Sequence, residues 1–143
     1  MIQVDYYIFD TAPLAQRDLF ACRLTQKALH QGLTVYLHTA DADHARQLDD
    51  LLWGFQPHSF VPHGLAGQGD DAQPALIGWQ GEPPPADVLI NLCPAIPDFH
   101  SRFPRIAEII VDHPSIREPG RENYRIYKQR GYVVRNHRLD AGR

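Results

Sequence analysis

The sequence contains little cysteine and no long apolar run, and these two absences limit what the chain is. Cys22 and Cys93 are its only cysteines, and two cysteines without a framework spacing do not indicate a disulfide scaffold. No apolar run approaches the roughly 20 residues that a membrane-spanning helix needs. The opening MIQVDYYIFD also lacks the basic and apolar regions of a secretory signal. We therefore expect a soluble cytoplasmic protein with reduced thiols and no membrane contact.

Motifs for metals and nucleotides are missing as well. The 8 histidines are scattered, with no helix-spaced pair and no cysteine pair beside them, so we expect no metal site and no cofactor. The glycine-rich HGLAGQG segment runs into Asp70, Asp71 and Pro74. Their carboxylates would repel a phosphate, so this segment predicts a turn and not a phosphate-binding loop. The segment FDTAPLA, where the first strand ends, lacks the Gly-x-Gly fingerprint of a dinucleotide site.

The hydrophobic pattern predicts a single α/β domain over residues 1–143. An apolar first strand is expected at Ile2 to Phe9, followed by a helix that Asp10 or Thr11 caps and that continues to about His30. A second strand and a second helix follow, the latter capped by Asp41 with Ala45, Leu48 and Leu52 facing inward. This β-α-β-α order implies a mostly parallel, Rossmann-like sheet flanked by helices.

The second half of the chain is less regular. We expect a loop from Leu65 to Gln73, strands at Ala75 to Trp79, Asp87 to Leu92, Ile106 to Val111 and Tyr132 to Arg135, a helical turn at Phe99 to Phe103, and a helix from about Pro114 to Gly131.

Charge is distributed unevenly along the chain. Residues 1–114 carry six Lys and Arg against 14 Asp and Glu, whereas residues 115–143 carry eight against three. Within that basic end Arg117, Arg121, Arg125 and Lys128 are spaced to form one stripe on a helix, with Tyr124 and Tyr127 beside it. Arginine forks bind carboxylates and tyrosines add apolar contact, so the stripe suits an acidic peptide better than long nucleic acid. A merely solvated basic helix remains the alternative.

Two further features allow competing interpretations. Trp53 and Phe60 flank the loop WGFQPHSF, where large aromatics either fill the core or anchor a partner. Asp10 and Asp112 fall at the carboxyl ends of predicted strands, where ligands bind in open α/β sheets. With His113 they make a small enzyme an alternative hypothesis, although ordinary capping and strand-ending roles are more common for such aspartates.

Three segments resemble the chi subunit of bacterial DNA polymerase III: LDDLLWGFQPHSFVPHGLAGQG, ADVLINL and RENYRIYKQRGY. Together with the opening strand and helix, the resemblance covers nearly the whole chain. It implies a Rossmann-like fold without nucleotide chemistry, and a non-catalytic adaptor in DNA replication. The expected partners are the acidic, hydrophobic-ended C-terminal tail of single-stranded-DNA-binding protein, the psi subunit that leads to the clamp loader, and an iron–sulfur helicase, with mainly indirect DNA contact.

The resemblance also implies site residues. The tail site falls on Arg117, Arg121, Tyr124 and Arg125, beside Lys128, and the psi or helicase surface falls on Trp53 and Phe60. The chain departs from the family at Pro119 and Gly120, which interrupt a helix that is usually longer. A proline breaks a helix interior. The residue pattern thus predicts a helix from about Pro114, whereas this departure favours a start near Pro119 that would leave Arg117 on a loop.

Overall fold

The computed structural model describes residues 1–57, 60–69 and 71–139. The elements in chain order are β1 Gln3–Phe9, α1 Ala15–His30, β2 Val35–His38, α2 Ala42–Gly54, β3 His63–Leu65, β4 Ala75–Gly78, β5 Val88–Asn91, a 3₁₀ helix Asp98–Arg102, β6 Arg105–Ile110, α3 Pro114–Gln129 and β7 Val133–Leu139.

The strands form one 7-stranded sheet in the order β3-β4-β2-β5-β6-β1-β7. Every neighbouring pair is parallel, which confirms the predicted α/β class with a parallel sheet. The carboxyl ends of all strands therefore meet at one edge of the sheet. β3 and β7 are the two outermost strands, so the surfaces beside them lie at opposite ends of the sheet.

Helices cover both faces of the sheet, because successive side chains of each strand point to opposite faces. On one face α1 and α2 bury Ala21, Leu48 and Leu52 against the sheet. On the other face α3 packs on β6 and β7, with Tyr127 and Phe103 fully buried there. Burial of such aromatic and aliphatic surface is the main stabilising contribution to the fold.

A buried polar network joins α3 to the sheet. The Glu108 carboxylate of β6 accepts hydrogen bonds from the Tyr127 hydroxyl at 2.8 Å and from Asn91 Nδ2 at 3.0 Å. Burial raises the pKa of Glu108 to about 7, although the hydrogen bonds from Asn91 and Tyr127 and the charge of Arg17 oppose the shift. Arg17 is itself buried and donates to the carbonyls of Ile109 and Leu92, both at 3.1 Å.

Several predicted boundaries need correction. Asp10 and Thr11 do not cap α1: the helix begins at Ala15 after Leu14, without a side-chain cap. The Asp10 carboxylate instead pairs with a basic side chain of β7. The sequence pattern did not predict β3, whose last residue is Leu65, the first residue of the expected loop. A strand of three residues is too short to show an alternating pattern. The last strand is also longer than expected, since it follows β1 along its whole length.

Of the two expected starts of α3, the one near Pro114 is confirmed and the one near Pro119 is wrong. The helix starts at Pro114, where the His113 side chain accepts a hydrogen bond from the Ser115 backbone N–H, and it continues through Pro119. Proline removes one helical hydrogen bond, but packing against the sheet offsets the loss. The Tyr6 hydroxyl donates to the Gly120 carbonyl at 2.9 Å.

No helix among the described residues is long and apolar enough to cross a membrane.

Candidate functional site

A groove of about 480 Å³ lies between α3 and the end of the sheet formed by β1 and β7. It is lined by ten residues from β1, β6, α3, β7 and the turn after β1: Tyr6, Ile8, Asp10, Ile110, Arg117, Gly120, Arg121, Tyr124, Asn136 and Arg138. The groove opens near the carboxyl edge of the parallel sheet, which is where ligand sites of α/β proteins commonly lie.

The floor of the groove is apolar. Ile8 and Ile110 are partly buried there, on the same face of the sheet as Tyr6. The ring of Tyr124 meets the ring of Tyr6 edge-on, with 5.1 Å between their centroids. α3 approaches the sheet closely because Gly120 has no side chain: a Cβ at that position would lie 2.6 Å from Ile110 Cδ1. The floor therefore offers aliphatic and aromatic surface to a hydrophobic side chain.

The rim of the groove is cationic and partly neutralised. Arg117 donates to the Asp10 carbonyl at 3.0 Å and pairs with the Asp112 carboxylate at 3.2 Å. Arg138 on β7 pairs with the Asp10 carboxylate at 2.9 Å. Among the described residues no carboxylate pairs with Arg121. Three guanidinium groups thus surround an apolar floor, and one of them is available to an added anion.

The predicted basic stripe is only partly in this groove. Arg117, Arg121 and Tyr124 line it, whereas Arg125 and Lys128 do not. Tyr127, also expected beside the stripe, is fully buried in the core instead. Each step of four residues advances about 40° around a helix, so Arg125 has turned away from the groove. It pairs with Glu122 on the exposed side of α3. Lys128 lies a further turn along the helix, with its Nζ 6.0 Å from the centre of the Tyr124 ring. The role of Arg117, Arg121, Tyr124, Arg125 and Lys128 in peptide binding stays a prediction.

Residues of β1 and β7 complete the groove, and the sequence pattern did not identify them. The parallel register places Asn136 beside Tyr6 and Arg138 beside Ile8, so all four side chains share one face of the sheet. The basic composition of the C-terminal end was the one signal that pointed toward Arg138. Strand register is a tertiary property, and spacing along one strand does not reveal it.

Trp53 and Phe60 form a second surface, the aromatic patch. They are 59% and 66% exposed, and their ring centroids lie 5.9 Å apart. The prediction that both are at least partly exposed is confirmed. Phe55, between them in sequence, packs toward the core instead. Large aromatic side chains are frequent among the anchors of protein interfaces; the binding role of these two stays a prediction.

A buried histidine supports the aromatic patch from below. The His63 ring lies 4.8 Å from the Trp53 ring, centroid to centroid. Its Nδ1 lies 2.6 Å from the Val61 carbonyl oxygen, and its Nε2 lies 3.0 Å from Asp49 Oδ1. The contact with Asp49 connects α2 to β3, and the indole ring packs on the His63 ring.

The two carboxylates on which the enzyme hypothesis depends form ion pairs within the fold. Asp10 and Asp112 each pair with an arginine. His113 Nδ1 accepts from the Ser115 N–H at 3.2 Å at the start of α3. Among residues 1–57, 60–69 and 71–139, no group of three or more His, Cys, Asp or Glu side chains is arranged to hold a metal ion.

The fold and groove define a parallel α/β protein with an arginine-rimmed cleft at the end of its sheet. Sequence comparison then places the chain in a family: residues 1–135 match the DNA polymerase III chi subunit, HolC, and the chain belongs to that family. It is 43% identical to DNA polymerase III subunit chi of Pseudomonas aeruginosa over 141 residues, which covers 97% of this chain and 98% of the relative. The chain is therefore a member of a DNA replication family.

More distant relatives agree with this family assignment. DNA polymerase III subunit chi of Escherichia coli is 27% identical, with 92% of this chain and 95% of the relative covered. The fold resembles a chain in the solved structure of S. cerevisiae dbp5 bound to nup159, gle1, IP6 and ADP, with a TM-score of 0.61. That likeness covers 98% of this chain and 42% of the other at 13% identity, and it concerns the fold alone.

Proposed function

We propose that the protein is a non-catalytic adaptor of DNA polymerase III that binds the C-terminal tail of single-stranded-DNA-binding protein in the groove. The observation that carries this proposal is the combination of an apolar floor with Arg117, Arg121 and Arg138 at its rim. An acidic peptide that ends in a hydrophobic residue needs both features. Its carboxylates accept hydrogen bonds from guanidinium forks, and its terminal side chain contacts the floor.

Within this groove Arg121 is the principal tail-binding residue. It lines the groove and pairs with no carboxylate among the described residues, so it loses no existing ion pair when a peptide binds. Arg117 and Tyr124 contribute from the same side of α3. Arg125 and Lys128 extend the positive charge along the helix and attract acidic residues upstream in the tail.

The aromatic patch binds the second partner, the psi subunit or an iron–sulfur helicase. Its support is the exposure of Trp53 and Phe60 next to each other beside outer strand β3, with the groove beside the other outer strand, β7. Two surfaces at opposite ends of a sheet allow one cytoplasmic subunit to connect two proteins at once. Contact with DNA is then mainly indirect, through single-stranded-DNA-binding protein.

The paired state of Asp10 and Asp112 favours the adaptor over the enzyme hypothesis. A general base has to be free to accept a proton from the substrate, whereas in the unliganded protein both of these carboxylates already pair with arginines.

Titration of the purified protein with a fluorescent tail peptide tests the proposal. We expect micromolar affinity, a binding free energy on the order of −8 kcal/mol. Arg121→Ala and deletion of the peptide's last hydrophobic residue should each abolish measurable binding. Arg130→Ala is the matched control, because Arg130 lies at the C-terminal end of α3 and outside the groove. Undiminished binding of the shortened peptide would contradict the proposed site.

A further inference from the structure

We propose that Asp10 acts as a built-in competitor in the groove and that Arg138 is a peptide-binding residue. In the unliganded protein the Asp10 carboxylate pairs with the guanidinium of Arg138. When the peptide binds, one of its carboxylates replaces Asp10 in that ion pair. This inference rests on the proposed function, since it concerns the same groove, and it adds a binding residue on β7 and an internal contact that limits affinity.

The geometry places both residues in the groove. Asp10 and Arg138 line it together, and Arg138 Nη1 lies 2.9 Å from Asp10 Oδ1. Arg138 extends from β7, opposite Arg117 and Arg121 of α3. A peptide in the groove therefore lies between two cationic walls, one helical and one from the outer strand.

The main chain at Asp10 is held independently of its carboxylate. Arg117 donates to the Asp10 carbonyl at 3.0 Å and to the Asp112 carboxylate. A change of Asp10 to asparagine leaves that carbonyl in place and removes the negative charge next to Arg138. The substitution therefore tests the carboxylate alone.

The Asp10–Arg138 pair is well suited to exchange with a ligand. Its side chains are 62% and 69% exposed, and exposed ion pairs are weak because water solvates both charges. An incoming carboxylate at the same guanidinium loses little by displacing Asp10.

Peptide titrations of single and double variants test the inference. We expect Asp10→Asn to bind the tail peptide about two- to fivefold more tightly than the wild type, and Arg138→Ala to bind it about fivefold more weakly. In the Arg138→Ala background Asp10→Asn should have no further effect, because the competitor acts through Arg138. Thermal unfolding of each variant confirms that the fold is unchanged.

Two charge-matched controls accompany these variants. Asp43→Asn removes one negative charge from an exposed pair with Arg46 on α2, outside the groove. Arg130→Ala removes one positive charge from outside the groove. Both should bind as the wild type does.

Four outcomes overturn the inference, and they differ in whether the proposed function also fails. If Asp10→Asn binds no more tightly than Asp43→Asn, or keeps its full gain in the Arg138→Ala background, Asp10 is not a competitor at Arg138. If Arg138→Ala binds the peptide normally while Arg121→Ala does not bind it, the proposed function stands, but Arg138 is not a peptide-binding residue. If the wild-type protein does not bind the peptide at all, the proposed function fails and this inference fails with it.

Discussion

The groove and the aromatic patch occupy opposite ends of the sheet and differ in their chemistry. The groove combines an apolar floor with arginines that are already partly paired. The aromatic patch is two exposed rings, Trp53 and Phe60, over a buried histidine. Charged recognition gives orientation and fast association, whereas desolvation of aromatic rings gives most of the binding energy of an interface. The two surfaces are therefore suited to different kinds of partner.

The sheet keeps these surfaces apart. β3 and β7 are separated by five strands, or about 29 Å at roughly 4.8 Å per strand. The helices beside the two surfaces also lie on opposite faces, α2 on one and α3 on the other. Changes at one surface should consequently have small effects at the other, since distant sites add nearly independently.

The largest expected effect separates an exposed aromatic from a buried one. Phe103→Ala removes a fully buried ring and should lower the free energy of unfolding by about 3–5 kcal/mol. Phe60→Ala removes a ring that is 66% exposed, so its melting temperature should stay close to that of the wild type while the second partner is lost. Thermal unfolding and pull-down measure the two effects. A large stability loss in Phe60→Ala would assign that ring to the core.

The next effect concerns how the free energy of unfolding depends on pH through Glu108, which is buried beneath α3. The pKa of Glu108 is raised from 4.5 to about 7, so the stability contributed by its protonated form is present below pH 4.5 and lost as the pH rises through 7. This loss is about 3 kcal/mol by linkage. Urea unfolding between pH 5 and pH 8 should show Glu108→Gln gaining stability relative to the wild type as the pH rises. Glu122→Gln, at an exposed position, is the control. If its stability changed with pH in the same way as that of Glu108→Gln, the pH dependence could not be assigned to Glu108.

The third effect tests the independence of the two surfaces. Trp53→Ala should weaken binding of the psi subunit or helicase by about 2 kcal/mol or more, as for an aromatic anchor, and leave tail binding unchanged. Arg121→Ala should weaken tail binding and leave binding of the psi subunit or helicase unchanged. Isothermal titration of each variant against both partners measures this. If either substitution weakens both interactions, the two surfaces are coupled or overlap.

The smallest effect is the difference in salt dependence. Tail binding should weaken as salt rises from 50 to 300 mM, by about 1 kcal/mol, because exposed charges are screened. Binding at the aromatic patch should change less over that range. Parallel titrations at several salt concentrations suffice, and a tail affinity that does not depend on salt would remove the arginines from the mechanism.

Much of this architecture could be predicted from residue patterns. The apolar segments placed six of the seven strands and all three helices, because hydrophobic periodicity reports which face of an element is buried. Helical spacing predicted that Arg117, Arg121 and Tyr124 share a helix face, and all three line the groove; their binding role stays a prediction. Pro119 misled the prediction, since a proline's cost to a helix is local while the packing of Gly120 and Tyr6 that offsets it comes from the sheet.

The sequence by itself determined the α/β class, the basic character of the last helix and the resemblance to the chi family, since these depend on local composition and order. Only the tertiary structure decided which arginines share a groove. Strand register brings Arg138 beside Ile8, and helix rotation turns Arg125 away. It also decided that Asp10 pairs with β7 instead of capping α1. A binding groove is made by side chains distant in sequence, and their meeting depends on how strands pair and helices pack.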